Sequence, residues 1–111
     1  MPVMQGSISV AANAVSVNQL AGELFEFLSR PSRIALYTTG SATGLNATLL
    51  VGGLAFANDQ AIGLQNRFPI VPDDFFVDAG GFASERLILT FRNTTAGALI
   101  AFWKVEVNAV A

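Results

Sequence analysis

Arg86-Leu87-Ile88-Leu89-Thr90-Phe91-Arg92 alternates, placing Leu87, Leu89 and Phe91 on one face and Arg86, Thr90 and Arg92 on the other. This is the pattern of a half-buried strand. A turn-forming run, Asn93-Thr94-Thr95-Ala96-Gly97, follows and is too short to hold another element. Then Ala98 to Val107 carries apolar residues at Leu99, Ala101, Trp103, Val105 and Val107, with Lys104 and Glu106 between them at the far end. The first half of this second strand is apolar on both faces and therefore central or covered; its last half reaches solvent on one side.

The same signals recur upstream. Arg33 to Thr38 and Ala47 to Val51 read as strands separated by Thr39-Gly40-Ser41-Ala42-Thr43-Gly44, and Gly52-Gly53 marks a bend before Leu54-Ala55-Phe56. Ser7 to Val10 and Ala14 to Val17 also alternate, as one bent strand or two short ones. Between Asn18 and Leu28 the residues Leu20, Leu24, Phe27 and Leu28 fit a helical spacing, while Glu23 to Leu28 also reads as extended. Gly22 and the turn Ser29-Arg30-Pro31-Ser32 favour the strand, because a helix of under three turns is marginal alone. Asn66 to Val77 contains Pro69 and Pro72, which deny ladder hydrogen bonds, so it is expected as a long irregular connection or a sheet edge. Asp78-Ala79-Gly80-Gly81 is expected to close it with a turn. Together these give about eight short antiparallel strands, an all-β sandwich or barrel.

Composition sets the outer limits. A chain of 111 residues suits one domain, spanning 1–111, and 52% hydrophobic content with a mean hydropathy of +0.52 excludes disorder for nearly its whole length. With no Cys and no His, there are no disulfides, thiolate nucleophiles, zinc fingers, Ser-His-Asp triads or imidazole bases. Five Arg and one Lys are scattered without a basic run and the isoelectric point is near 4.8, so direct contact with nucleic acid is not expected. The longest apolar stretches, Leu45 to Ala57 and Ala96 to Trp103, fall short of the roughly 20 residues of a spanning helix. The first residues lack the basic and apolar regions of a secretory signal, so the acceptor patterns at Asn46 and Asn93 are read as chance.

Charge, 13% of residues, is unevenly placed: neither 1–22 nor Ile34 to Asn58 carries a charged side chain. Solvated monomers usually intersperse Lys and Glu, so either these stretches are hidden in an assembly or the surface is built of Ser, Thr, Asn and Gln.

Chemistry-bearing constellations are sparse. Asp73, Asp74 and Asp78 form the one acidic cluster but lack calcium-loop spacing; turn capping and solvation account for them. Glu23 and Glu26 would face opposite sides of a strand and cannot act as paired carboxylates there. Gly40 to Gly44 lacks the Lys of a phosphate loop. No catalytic residue, cofactor site or metal site is assigned. Phe68, Phe75 and Phe76 sit in the proline-punctuated connection, where they either plug one end of the barrel or anchor a subunit contact, and Arg67 could pair with the acidic cluster of a neighbour. The candidate interface is therefore Arg67, Phe68, Asp73, Asp74, Phe75 and Phe76.

In its succession of short strands, its low charge, RFPIVPDDFF (67–76) and RLILTFRNTTAGALIAFWKVEV (86–107), the chain resembles the small single jelly-roll structural proteins of phage and other viral particles. The resemblance implies a jelly-roll-like fold and a non-enzymatic virion component: a capsid, vertex or cement subunit, assembled in the host cytoplasm. Its partners would be copies of itself, as a trimer or higher symmetric oligomer, and other capsid proteins. Larger capsid subunits often carry a basic genome-facing arm, which is missing here and favours an outer, decorating position. The alternative is a carbohydrate- or receptor-binding sandwich, for which Trp103 and Tyr37 are the available stacking residues.

Overall fold

The structure, a computed structural model, describes residues 3–23, 26–64 and 75–109. They contain eight strands: β1 (Val3–Val10), β2 (Ser32–Gly40), β3 (Leu45–Val51), β4 (Leu54–Ala61), β5 (Gly63–Leu64), β6 (Phe75–Gly81), β7 (Leu87–Asn93) and β8 (Leu99–Ala109). Seven of them pair antiparallel in two sheets. One has the order β1-β8-β2-β6, the short β5 adding a parallel pair of residues to β2, and the other has the order β4-β3-β7. The two sheets form an all-β sandwich, as the period-two pattern predicts.

The alternation sets which side chains meet. In the first sheet, Met4, Val105, Leu36 and Val77 line up across four strands, followed by the row Val107, Ile34 and Ala79. In the second, Leu45, Ala47, Leu49 and Val51 stand opposite Asn93, Phe91, Leu89 and Leu87, so the smallest apolar side chain faces the largest. These two inner faces supply most of one continuous core, with Leu20 and Leu28 added from the connection between β1 and β2. Each such Leu removed from water contributes about 1.5–3 kcal/mol. Gly6 is required by this packing: a Cβ there would lie 2.8 Å from Trp103 Cζ2. Gly52 and Gly53, with φ of 58° and 85°, make the two-residue hairpin between β3 and β4, where both positions need the left-handed region.

A closed barrel does not form. β1 stacks over β7, but the outer side of β7 is already occupied by residues 14–19 and 26–28, so the sheets cannot join there. Ser16 N donates to Phe91 O (2.8 Å) and Gln19 N to Leu89 O (2.8 Å), while Leu87 N donates to Glu26 O (2.7 Å). Between these, side chains replace the ladder: Phe91 N donates to Ser16 Oγ and Leu89 N to Asn18 Oδ1.

That substitution corrects two expected strands. Ala14 to Val17 makes only a single bridge, Val15 to Arg92, and the described part of 23–28 only one, Phe27 to Arg86. Asn18 accepts from Leu20 N and starts a turn instead, since its side chain competes with the backbone for hydrogen bonds. The turn expected at Asp78 to Gly81 is also corrected: it is the end of β6, held because Val77 and Ala79 pack inward while the glycines lie at a sheet edge. Phe75 to Val77, expected in an irregular connection or an edge, lies in that edge strand.

Asn93 closes the β7–β8 turn from inside. Its Nδ2 donates to Val10 O (3.0 Å) and Gly97 O (2.7 Å), and its Oδ1 accepts from Thr95 N (2.8 Å) and Thr95 Oγ1 (2.7 Å). With its amide buried and fully bonded, Asn93 is not an accessible glycosylation acceptor in the folded protein. Among the described residues no helix is long and apolar enough to cross a membrane.

Candidate interaction surfaces

Of the six residues singled out for a subunit contact, Arg67, Phe68, Asp73 and Asp74 lie outside the described residues. The other two part company. Phe75 begins β6 pointing away from the core, half exposed, its ring edge-on to Tyr37 at 5.8 Å. Phe76 is partly buried against the core. The register of β6 on β2 passes from Leu36–Val77 to Tyr37–Phe75, so Phe76 is a bulge residue turned to the core beside Val77 while Phe75 turns out, and the pair does not form one aromatic anchor. Asp78 is exposed and pairs with Arg33 at 3.2 Å on the same outer face. Together with Ala35 and Asn108 they line a shallow groove of about 450 Å³.

The two residues available for stacking a sugar are buried. Trp103 is 3% exposed and faces the opposite sheet, its Nε1 without a hydrogen-bond partner among the described residues. Tyr37 is 7% exposed although it lies on the outer face. Burial, with Glu106 accepting its hydroxyl, pushes its pKa above the ordinary 10.0.

The carboxylates that are described serve the fold. Glu26 accepts from Gly22 N at 2.9 Å and from Arg86 Nε at 2.8 Å; the Gly22 bond chiefly, against some desolvation, holds its pKa below 4.5. That is opposite to the raised pKa a general acid needs. Asp59 takes both Nε (2.9 Å) and Nη2 (2.6 Å) of Arg92, which lowers its own pKa and raises that of Arg92. Glu85 Oε1 accepts from Phe82 N. Among the described residues no three acidic groups converge as a metal site would require.

Sequence periodicity does not single out two surfaces that the fold assembles. At one end of the sandwich, Leu28 N bonds Glu85 O, Gly52 N bonds Arg86 O, and Ser84 N bonds Leu28 O. These bonds gather Phe27, Leu54 and Phe82, which are 56, 63 and 74% exposed, around the Arg86–Glu26 pair. The Arg86 guanidinium stands 5.9 Å from the Phe27 ring. The second surface is the outer edge of β1, eight consecutive uncharged residues that pair, among the described residues, with one strand, β8. The signal for it was present in the charge-free first 22 residues. The chain matches no family model and no curated protein.

Proposed function

We propose that the chain is a non-enzymatic structural subunit of a virus or phage particle, self-associating and forming or decorating a capsid shell. One observation carries this: the strand order. With residues 14–19 and 26–28 counted beside β7, the sheets run β1-β8-β2-β6 and this segment, β7, β3, β4, so that consecutive strands alternate between sheets except at the β3–β4 hairpin, as in the double Greek key of jelly rolls. Fold alone does not assign function. The uncharged β1 edge and the apolar end around Phe27, Leu54 and Phe82 add surfaces suited to lattice contacts, and closed symmetry gives each weak contact many copies.

Under this proposal the partners are further copies of the chain and other capsid proteins, and the chain resides in the virion. The cement or minor capsid role is favoured. A carbohydrate-binding role draws no support from Trp103 or Tyr37, whose rings are covered.

Size-exclusion chromatography with light scattering, followed by negative-stain electron microscopy of the concentrated protein, tests the proposal. Symmetric oligomers or ordered arrays are expected. A single monomeric species at every concentration, with no arrays, would overturn it.

A further inference from the structure

We propose that the outer edge of β1 pairs antiparallel with the same edge of a second copy across a two-fold axis, joining two four-stranded sheets into one. This rests on the self-assembly proposed above and names one of its contacts.

The four sheet edges are not alike. That of β7 is covered by residues 14–19 and 26–28, whose backbone and side chains take up its hydrogen bonds. Against β4, the ladder slips register twice, and the edge carries Asp59 at φ 53°, bound to Arg92. The β6 edge has a register slip at Leu36/Tyr37 and the Arg33–Asp78 pair beside it. Bulges, charges and coverage are the usual means by which a protein prevents strand addition. β1 has none of them: Val3 to Val10 keeps unbroken register with Glu106 to Leu99, contains no charge and no proline, and has no strand beyond it among the described residues, Asn93 Nδ2 on Val10 O engaging only its last residue.

An open edge of unpaired N–H and C=O groups calls for another strand, and the pattern of β1 fits its own copy. Met4, Gly6, Ile8 and Val10 lie on the core side, Gln5, Ser7 and Ser9 on the exposed side. A two-fold axis at Ser7 sets Ser7 opposite Ser7, Gln5 opposite Ser9 and Ile8 opposite Gly6. An axis at Gly6 sets Gln5 opposite Ser7 and Met4 opposite Ile8. Apart from Ser9 opposite Val3 in the second register, apolar meets apolar and uncharged polar meets uncharged polar, with no like charges opposed, which is the condition for an isologous contact. Ile8, only partly buried at this edge, would be covered by the partner. Pairing off by one residue would turn one strand's core face outward and is disfavoured.

Ser7→Lys and Ser7→Glu test this, since residue 7 is exposed and away from the core. In both registers residue 7 meets its symmetry mate directly or diagonally. Light scattering on wild type, each variant and their equimolar mixture, up to about 1 mM, reads the mass; the fluorescence of Trp103 checks the fold. Expected are an associated wild type, at least a tenfold weaker association for each variant alone, and restoration in the mixture. Variants that associate like wild type, or a mixture that stays dissociated, would overturn the β1 contact and leave self-assembly standing. A wild type that is monomeric throughout would overturn both.

Discussion

Replacing Asn93 should be among the most damaging polar changes available, and the choice of replacement should reveal why. The side chain is 1% exposed and uses both amide hydrogens and its oxygen, tying the end of β1 at Val10 to the β7–β8 turn at Thr95 and Gly97. Asn93→Ala leaves the buried Val10 carbonyl without its donor, while Gly97 and Thr95, nearer the surface, can turn to water. A buried orphan costs about 1–3 kcal/mol and each of the three bonds exchanged for water near the surface about 0.5 kcal/mol, giving a loss of about 2.5–4.5 kcal/mol. Against a total of about 5–15 kcal/mol that is a large fraction. Asn93→Asp keeps the acceptor for Thr95 but points a second oxygen at two carbonyls. As a carboxylate it is worse than Ala, because it adds a desolvated, repelled charge. As an acid it returns one donor.

The folded-state pKa of the introduced Asp is therefore raised above its unfolded value of about 3.9. Its penalty is full at neutral pH and shrinks as pH falls through the folded pKa. Urea unfolding followed by Trp103, the single tryptophan, measures this at pH 7 and pH 5. With a slope of about 1–3 kcal/mol per molar, the Ala variant's midpoint should fall by about 1–3 M. The Asp variant should fall further at pH 7 and recover part of the difference at pH 5. A loss below about 1 kcal/mol for Ala, or an Asp variant no worse than Ala at pH 7, would refute the assignment of Asn93 as a buried four-bond node.

Gly6→Ala places a Cβ 2.8 Å from Trp103 Cζ2 and 3.0 Å from Cε2, and should lower stability by about 1–3 kcal/mol with a shifted tryptophan emission; an unchanged urea midpoint would contradict the close approach. The Asp59–Arg92 pair should support the fold above the unfolded pKa of about 3.8 and lose that contribution as pH falls through the depressed folded value. Wild type and Asp59→Asn should thus converge in urea midpoint only below pH 3.8. Because Tyr37 is the single tyrosine, phenolate absorbance titrates it alone; the midpoint should lie above 10.0 in the folded protein, and Glu106→Gln should bring it down without abolishing the part due to burial.

Much of the sandwich was legible because its strands obey simple alternation. Leu87, Leu89 and Phe91 face inward as their spacing says, and so do Leu99, Ala101, Trp103, Val105 and Val107. Legibility failed where side chains take over backbone roles. Ser16 and Asn18 hydrogen-bond β7 directly, so residues 14–20 run beside a strand without being one, and no periodicity marks that behaviour. It failed again at Gly80 and Gly81, whose turn propensity is overridden by the pairing of β6 with β2. For the candidate contacts, Phe75 and Phe76 were singled out together by composition, yet the bulge at Phe76 turns it to the core and leaves Phe75 on the outer face. Phe27, Leu54 and Phe82 are far apart in sequence, and it is the hydrogen bonds between their loops that bring them to one end of the sandwich.

The two charge-free stretches have different physical causes, and separating them sharpens what low charge implies. Ile34 to Asn58 covers most of β2, all of β3 and half of β4, and both β2 and β3 have neighbours on each side. A strand so placed needs no charge to guard an edge, because it has none to guard. The β2 and β3 part of that stretch is explained by position within the chain's own fold, while the β4 edge is guarded by its register slips and by Asp59 just beyond the stretch. Residues 1–22 are different. Their second half spends Ser16 and Asn18 on covering β7, which accounts for polar residues there without charge. β1 is an edge strand without the slips or charges that guard β4 and β6, where charge would serve a monomer, and it carries none. Low charge across the whole chain would be weak evidence for assembly; low charge confined to one unguarded edge, after the central strands are set aside, is a specific indication of where a second copy pairs.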